Sequence, residues 1–173
     1  MAPRKDLTEI IGETAHAVSN PEVVIVHEDF PSGLAARRLL EQLFVRANSE
    51  SNQVFKMWEF GTLRLLGART QAVREAAAAA IVCVSAHGDN SLLMGVKDWA
   101  ERWAREPFVG DCALIVLLDT IDRSPAGNTP MIQFLRHAAN LHGAAFLLCS
   151  TAICEPQENS WEESTQGLCN LAR

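Results

Sequence analysis

The chain has 173 residues, a formal net charge of −6 at pH 7 and 48% hydrophobic residues. This length suits one domain with a core of its own, and the composition excludes a chain that is disordered throughout. No apolar run approaches the roughly 20 residues of a membrane-spanning helix, and no secretory signal opens the chain, so we expect a cytoplasmic protein without membrane contacts. An acidic chain without a stripe of Lys and Arg is also a poor candidate for binding nucleic acid.

The first predicted element is an N-terminal helix. Asp6-Leu7-Thr8-Glu9 resembles a capping box, and the helix is expected to run to about Val18 before Asn20-Pro21 breaks it. We assign residues 1–20 to this helix and residues 21–151 to the core, which together form a single domain over residues 1–151. Residues 152–173 are predicted to be an acidic C-terminal tail.

Five short apolar segments follow in chain order and predict five strands. Four of them are nearly continuous, as in strands that are covered on both faces. The second segment alternates between apolar and polar residues, which suits an edge strand. The predicted strands cover residues 23–26, 54–60, 81–84, 113–118 and 144–149.

Helical patterns separate these strands. They cover residues 34–47, 70–79 and 92–105, and a fourth helix begins after Thr129-Pro130 and ends at His142-Gly143. Ser32 is expected near the start of the first of these helices, and Thr70 is expected to cap the second. Alternating strands and helices predict an α/β three-layer sandwich, with a five-stranded parallel sheet in the flavodoxin-like order 2-1-3-4-5.

Polar residues follow the predicted strands. In open parallel sheets, ligands bind outside the carboxyl ends of the strands, near the point where the strand order reverses. The predicted crevice residues are Glu28, Asp29, Ser32, Ser85, His87, Asp119 and Ser150. Glu28, Asp29 and Asp119 are candidate ligands for Mg²⁺, which prefers carboxylate oxygens. The alternative is that Asp29 caps the following helix and Glu28 is solvated.

His87 has two interpretations, of which the second is favoured. It is a candidate acid–base group beside an acid, or it belongs to a turn in which Asp89-Asn90 cap the next helix. Ser85, His87 and Asp119 can also be drawn as a catalytic triad, although side chains two residues apart at a strand end rarely face each other. The sequence contains no dinucleotide fingerprint, P-loop or nucleophile elbow, which favours a protein that is not an enzyme.

The segment from residue 23 to residue 43 resembles the opening of a response-regulator receiver domain, with an apolar strand, adjacent acids and an amphipathic helix. Glu28 and Asp29 match the acidic pair that binds the metal in that family. Ser85 stands where a receiver has its phospho-accepting Asp, and Cys149-Ser150-Thr151 lacks the expected Lys. The resemblance implies a phosphorylation-incompetent signalling module that acts through protein contacts. Mg²⁺ is a possible ligand, and no cofactor is otherwise expected.

Three tryptophans are candidates for a surface that contacts a partner or a second copy. Trp99 and Trp103 lie on one helix stripe and Trp58 lies on the predicted edge strand, and Trp is enriched in interface hot spots. The pair on the helix can equally cover the sheet. We therefore expect a protein partner or a homodimer. The alternative functions are a small enzyme or ligand-binding protein that uses a divalent metal or an anion in the crevice, and a protein that binds flavin or nucleotide.

Overall fold

A computed structural model describes residues 7–17, 20–47, 52–88, 94–107, 110–119 and 129–150. Strands and helices alternate along the chain, as predicted. The strands are β1 (Glu22–His27), β2 (Val54–Glu59), β3 (Ile81–Ala86), β4 (Ala113–Leu118) and β5 (Ala145–Ser150). The helices are α1 (Leu7–Ala17), α2 (Phe30–Arg46), α3 (Leu66–Ala78), α4 (Met94–Arg105) and α5 (Pro130–His142), and a 3₁₀ turn (Thr62–Arg64) precedes α3.

The five strands form one parallel sheet in the order β2-β1-β3-β4-β5. This confirms the predicted fold class and strand order. Every residue of β3 and β4 is buried, because both faces of the central strands are covered. β2 and β5 form the two edges, where most side chains are only partly buried.

Two apolar layers flank the sheet, because successive side chains of a strand point to opposite faces. On one face, Ile25 and Cys83 pack with α2 and with Ile11 of α1. On the other face, α3, α4 and α5 cover the sheet, and Trp99 and Trp103 of α4 are the largest side chains buried there. The predicted N-terminal helix is therefore part of the packed domain.

Helix α2 begins four residues earlier than predicted, at Phe30. Asp29 is its N-cap residue, and the Asp29 carboxylate accepts the backbone N–H of Ser32 at 2.9 Å. The Ser32 hydroxyl accepts the backbone N–H of Asp29 in return, which completes a capping box. Pro31 fits the first turn because the N–H groups there have no partner within the helix.

The predicted Thr70 cap is wrong, whereas both predicted ends of α5 are confirmed. Helix α3 begins at Leu66, and the Thr70 hydroxyl donates to the Leu66 carbonyl oxygen at 2.8 Å. A hydroxyl inside a helix can bond to the carbonyl one turn earlier instead of capping the helix. Thr129 caps α5, and Gly143 ends it with a φ of 85°, a left-handed conformation that glycine adopts without strain.

Some predicted features lie outside the described residues. They are the capping position Asp6, residues 92–93 at the predicted start of α4, and the tail over residues 152–173. None of the helices in the described part of the chain combines the length and the hydropathy that are needed to cross a bilayer.

Gly95 allows the 3₁₀ turn to contact the first turn of α4. A Cβ at this position would lie 2.9 Å from both the carbonyl carbon and the carbonyl oxygen of Leu63, which are backbone atoms that no side-chain rotation can move. We expect Gly95→Ala to lower the free energy of unfolding by about 1–3 kcal/mol, the usual cost of overpacking. Urea denaturation measures the change.

Gly67→Ala is the matched control. No atom lies within 4 Å of a Cβ built at Gly67, which is in the first turn of α3. This variant is expected to be neutral or to raise the free energy of unfolding by up to about 1 kcal/mol. Equal stabilities of the two variants would contradict the close contact at Gly95.

Candidate functional site

His87 connects the carboxyl ends of β1, β3 and β4. Its Nε2 lies 2.7 Å from Oδ2 of Asp29, and its Nδ1 is hydrogen-bonded to Oδ2 of Asp119. The backbone N–H of His87 donates to Oε2 of Glu28 at 2.9 Å. We call these four residues the His87 cluster. The cluster brings together four of the predicted crevice residues at the edge where the strand-order rule places a site.

The two ring contacts hold His87 in its protonated form. A carboxylate accepts at each ring nitrogen, and only the protonated imidazole has an N–H at both. The hydrogen bonds to Asp29 and then to Asp119 raise the pKa of His87 from 6.5 to about 9. His87 is therefore a cation at neutral pH. Its side chain is 47% exposed, so water screens the ion pairs and each contributes modestly to stability.

Asp29 serves the helix and the cluster at the same time. Its Oδ1 accepts the backbone N–H of Ser32, and its Oδ2 faces the ring of His87. The Ser32 backbone N–H contributes most to lowering the pKa of Asp29 to about 2, and the bond to His87 lowers it further. The prediction that Asp29 caps the following helix is thus confirmed. Glu28 is exposed, and its carboxylate also accepts the backbone N–H of His87.

Two buried polar side chains support the cluster from behind. The Nδ1–H of His27 donates to the Asp29 carbonyl oxygen at 2.7 Å, and the Ser85 hydroxyl donates to the Ser32 carbonyl oxygen at 2.9 Å. A Cβ at Gly33 would lie 2.7 Å from the His27 ring, so glycine allows this ring to pack against α2. These contacts hold the first turn of α2 against β1 and β3, which fixes the position of Asp29.

Sequence reasoning assigned no role to His27. The signal that could have identified it is a polar residue, His27, at the end of an apolar strand, followed six residues later by Gly33. Such a residue either faces solvent or bonds to the start of the next helix. Only the three-dimensional structure distinguishes these outcomes, and here His27 is buried.

The described contacts favour a structural role for Ser85 over a catalytic one. A nucleophile must lie within hydrogen-bond reach of its base. The Ser85 hydroxyl instead donates to the Ser32 carbonyl oxygen, and each ring nitrogen of His87 faces a carboxylate. The triad drawn from the sequence is thus not supported, and Asp89-Asn90, the predicted cap of the next helix, lies outside the described residues.

Ser150, the last predicted crevice residue, flanks the cluster. It is buried at the end of β5 and lies opposite Leu118, the residue before Asp119. None of the hydrogen bonds described for the His87 cluster involves the Ser150 side chain. Ser150 therefore lies at the predicted edge of the sheet, one strand beyond the His87 cluster.

The carboxylates that were predicted to bind Mg²⁺ are already bonded to His87. Glu28, Asp29 and Asp119 each direct an oxygen to this residue, and its ring is itself a cation. In the ranges that the structure describes, no three His, Cys, Asp or Glu side chains are grouped so as to hold a metal ion. A metal ion here would have to displace His87 from these oxygens, and the Mg²⁺ assignment stays a prediction.

The tryptophan pair of α4 belongs to the core. Trp99 and Trp103 are fully buried and stack with 6.1 Å between ring centroids, and Trp103 also stacks on His142 at 4.4 Å. The prediction that this pair forms an interface is wrong, because side chains without exposed area cannot contact a partner. Trp58 is half-buried, and its Nε1–H donates to Glu75 at 2.8 Å. Its role in an interface stays a prediction.

No protein-family model matches the chain. A search of curated proteins finds no match either. The resemblance to receiver domains therefore rests on the residues quoted above and stays a prediction. What the site can do has to be argued from its own contacts, charges and exposed surface.

The His87 cluster predicts a defined pH dependence of stability. The pKa of His87 is raised in the folded protein, so its stabilising contribution is fully present below pH 6.5 and is lost as the pH rises through about 9. We expect His87→Gln to remove this loss, so that its free energy of unfolding falls less than that of the wild type from about pH 6 to about pH 10. Urea denaturation across this range measures both proteins.

His137→Gln is the control, because it removes an exposed histidine of α5. Its free energy of unfolding should follow the wild-type pH dependence. An NMR titration of the His87 ring checks the raised pKa directly. If the wild type and His87→Gln lose stability in parallel above pH 6.5, the proposed ion pairs do not hold His87 in its charged form.

Proposed function

We propose that this chain is a non-catalytic signalling and protein-interaction module of the phosphorylation-incompetent receiver type. The His87 cluster is the observation that carries this proposal. Of the two carboxylates that a receiver would direct to a metal ion, Asp29 is bonded here to the ring of His87, an internal cation, and Glu28 accepts the backbone N–H of His87. The side chain at the end of β3 that would have to accept a phosphoryl group is Ser85, and its hydroxyl holds α2 in place. These polar groups thus join structural elements.

The electrostatics of the cluster support a preformed surface. Three carboxylates at one sheet edge repel one another, and a neighbouring cation relieves this repulsion. Protonated His87 supplies that cation from within the chain, which leaves the four residues with a formal charge of −2. A partner would therefore meet an acidic edge whose geometry is set without a bound metal or a phosphoryl group.

Exposed apolar side chains lie at the starts of the helices that follow this edge. Four of them are 59–74% exposed and are here called the apolar rim: Phe30, Leu65, Leu66 and Met94. They lie at the starts of α2, α3 and α4, which follow the carboxyl ends of β1, β2 and β3. The contact of Gly95 with Leu63 brings the start of α4 to the turn before α3. Large exposed apolar side chains at the edge that carries a polar cluster support a protein-contact surface.

The apolar rim is expected to carry partner binding. Proteins that contact the tagged wild-type chain can be cross-linked to it in cells and identified by mass spectrometry. We expect that these proteins are no longer recovered with the double variant Leu66→Ser/Met94→Ser. Val45→Ser/Leu141→Ser is the matched control, because these residues are similarly exposed but lie at the opposite ends of α2 and α5. Loss in the control, or retention in the rim variant, would place the contact elsewhere.

Phosphorylation independence can be tested directly. We expect the wild type to keep its mass after incubation with acetyl phosphate and Mg²⁺, because the carboxylates of the cluster are bonded to His87. Intact-mass spectrometry at neutral pH, where an acyl phosphate survives, gives the readout. A stable acyl phosphate on Glu28, Asp29 or Asp119 would refute the proposal.

The convergence of three carboxylates favours one alternative function, a small enzyme or ligand-binding protein that uses a divalent metal or an anion in the crevice. A thermal-shift screen against Mg²⁺, Mn²⁺, Zn²⁺, FMN and nucleotides tests it. A ligand at about 100 times its Kd stabilises the folded state by about 2.7 kcal/mol. Asp29→Asn is the informative variant, because Asn caps helices as well as Asp does but carries no charge. A shift that is lost in Asp29→Asn would favour the alternative, whereas we expect no shift.

A further inference from the structure

A groove of about 160 Å³ lies between the second halves of α4 and α5. Its apolar lining consists of Phe134 and Leu141 with the two small residues Ala104 and Ala138. Both alanines are almost fully buried, whereas Leu141 is 62% exposed. The groove therefore has a floor of small side chains and an apolar wall that is open to solvent.

The volume of the groove favours a single side chain as its occupant. Pockets that bind small molecules usually measure about 300–1,000 Å³ and enclose most of their ligand. This groove is smaller and is open along one side. A large apolar side chain that is carried by a segment of polypeptide lying across α4 and α5 fits it better than a free small molecule does.

The charge of the two helices favours an acidic segment. Arg105 and His137 line the groove together with Glu101. Over their full lengths, α4 and α5 contain four basic and two acidic residues, a formal net charge of +2 in a chain whose net charge is −6. None of the ion pairs found within the described ranges includes Arg105. A segment that carries carboxylates beside its apolar side chain would therefore complement this surface.

The sequence that follows β5 has this composition. Residues 151–173, which lie outside the described residues, contain four acidic residues and one basic residue. Three of the acidic residues, Glu158, Glu162 and Glu163, lie within three positions of Trp161. Tryptophan offers more apolar area than any other side chain of this segment, and it is the residue type most enriched at the centres of binding surfaces.

The connection from β5 is long enough to reach the groove. β5 ends at Ser150, and α5, which packs against β5, is 13 residues long. A helix of that length spans about 20 Å, whereas the ten residues between Ser150 and Trp161 can span up to about 33–36 Å. Trp161 can therefore reach any point along α5 from the end of its own sheet.

We propose that Trp161 of the same chain inserts into the groove between α4 and α5, with its neighbouring glutamates beside the basic residues of these helices. A tether of this length keeps Trp161 at an effective concentration of about millimolar near the groove, which favours the same chain over a second copy. The inference does not rest on the proposed function, because the apolar rim lies at the starts of α2, α3 and α4.

Fluorine NMR of the full chain labelled with 5-fluorotryptophan tests the contact. The signal of Trp161 is the one that disappears in Trp161→Phe. We expect it to lie away from its position in the urea-unfolded protein. Leu141→Ser removes the exposed apolar wall of the groove and should shift the signal to that unfolded position. Urea denaturation establishes that each variant is folded.

Val45→Ser and Leu168→Ser are the matched controls, and neither should shift the Trp161 signal. Val45 is an exposed residue of α2, on the other face of the sheet, and Leu168 is an apolar residue of the segment that contains Trp161. The proposal is wrong if the wild-type signal already lies at the unfolded position, or if Leu141→Ser has no larger effect than either control. A signal that changes with protein concentration would assign the groove to a second copy and would equally overturn the proposal.

A disulfide provides a second test that leaves Trp161 in place. In a chain in which Cys154 and Cys169 are replaced by Ser, a mild oxidant should close a bond within one molecule of His137→Cys/Ser160→Cys, since His137 is exposed and lines the groove. Peptide mapping identifies the bond. Arg38→Cys/Ser160→Cys is the control, because Arg38 is exposed on α2. Equal yields in the two variants, or no bond in the first, would overturn the proposal.

Discussion

The two oxygens of the Asp29 carboxylate connect the fold to the candidate site. One oxygen holds the first turn of α2 through the Ser32 backbone N–H, and the other holds the ring of His87. A helix cap is worth about 1 kcal/mol, and an exposed ion pair is worth less. The importance of Asp29 therefore lies in geometry, because the start of α2 and the position of His87 cannot shift independently.

The strand register makes this junction possible. His27 pairs with Ser85, and Ala86 pairs with Leu118, so β1, β3 and β4 end at nearly the same height. The residues that follow these ends, Asp29, His87 and Asp119, are then close enough to bond. The free energy that holds the strands in register comes from burial on both faces of the sheet, where β3 and β4 are covered completely. The apolar core thus sets the heights of the strand ends, and the buried polar side chains of His27 and Ser85 hold the first turn of α2 against them.

The fold could be predicted because its signals are local or topological. Apolar runs separated by helical patterns identify a parallel sheet, and right-handed crossovers leave few strand orders. The same argument places Glu28, Asp29, His87 and Asp119 at one edge. It does not show which atoms meet, because bonds between neighbouring strands depend on register and on rotamers. The favoured interpretation of His87 as a turn residue therefore missed its two carboxylate partners.

The local errors have physical causes of the same kind. Phe30-Pro31-Ser32-Gly33 has the composition of a loop, yet it is helical because Pro is tolerated in a first turn and Gly33 makes room for the His27 ring. The sequence could not decide whether Trp99 and Trp103 are covered or exposed. An amphipathic stripe identifies the face of α4, whereas the burial of that face depends on α5 and the sheet.

An internal cation differs in one physical respect from a bound metal ion. A metal ion leaves the site when its concentration falls, whereas the imidazolium of His87 is part of the chain and responds only to protons. With a pKa of about 9, His87 is almost wholly charged at neutral pH. Asp29 and Asp119 then remain paired with it under conditions in which a metal site would be partly empty. For the proposed interaction module, this makes the arrangement of the carboxyl edge independent of the supply of a metal ion.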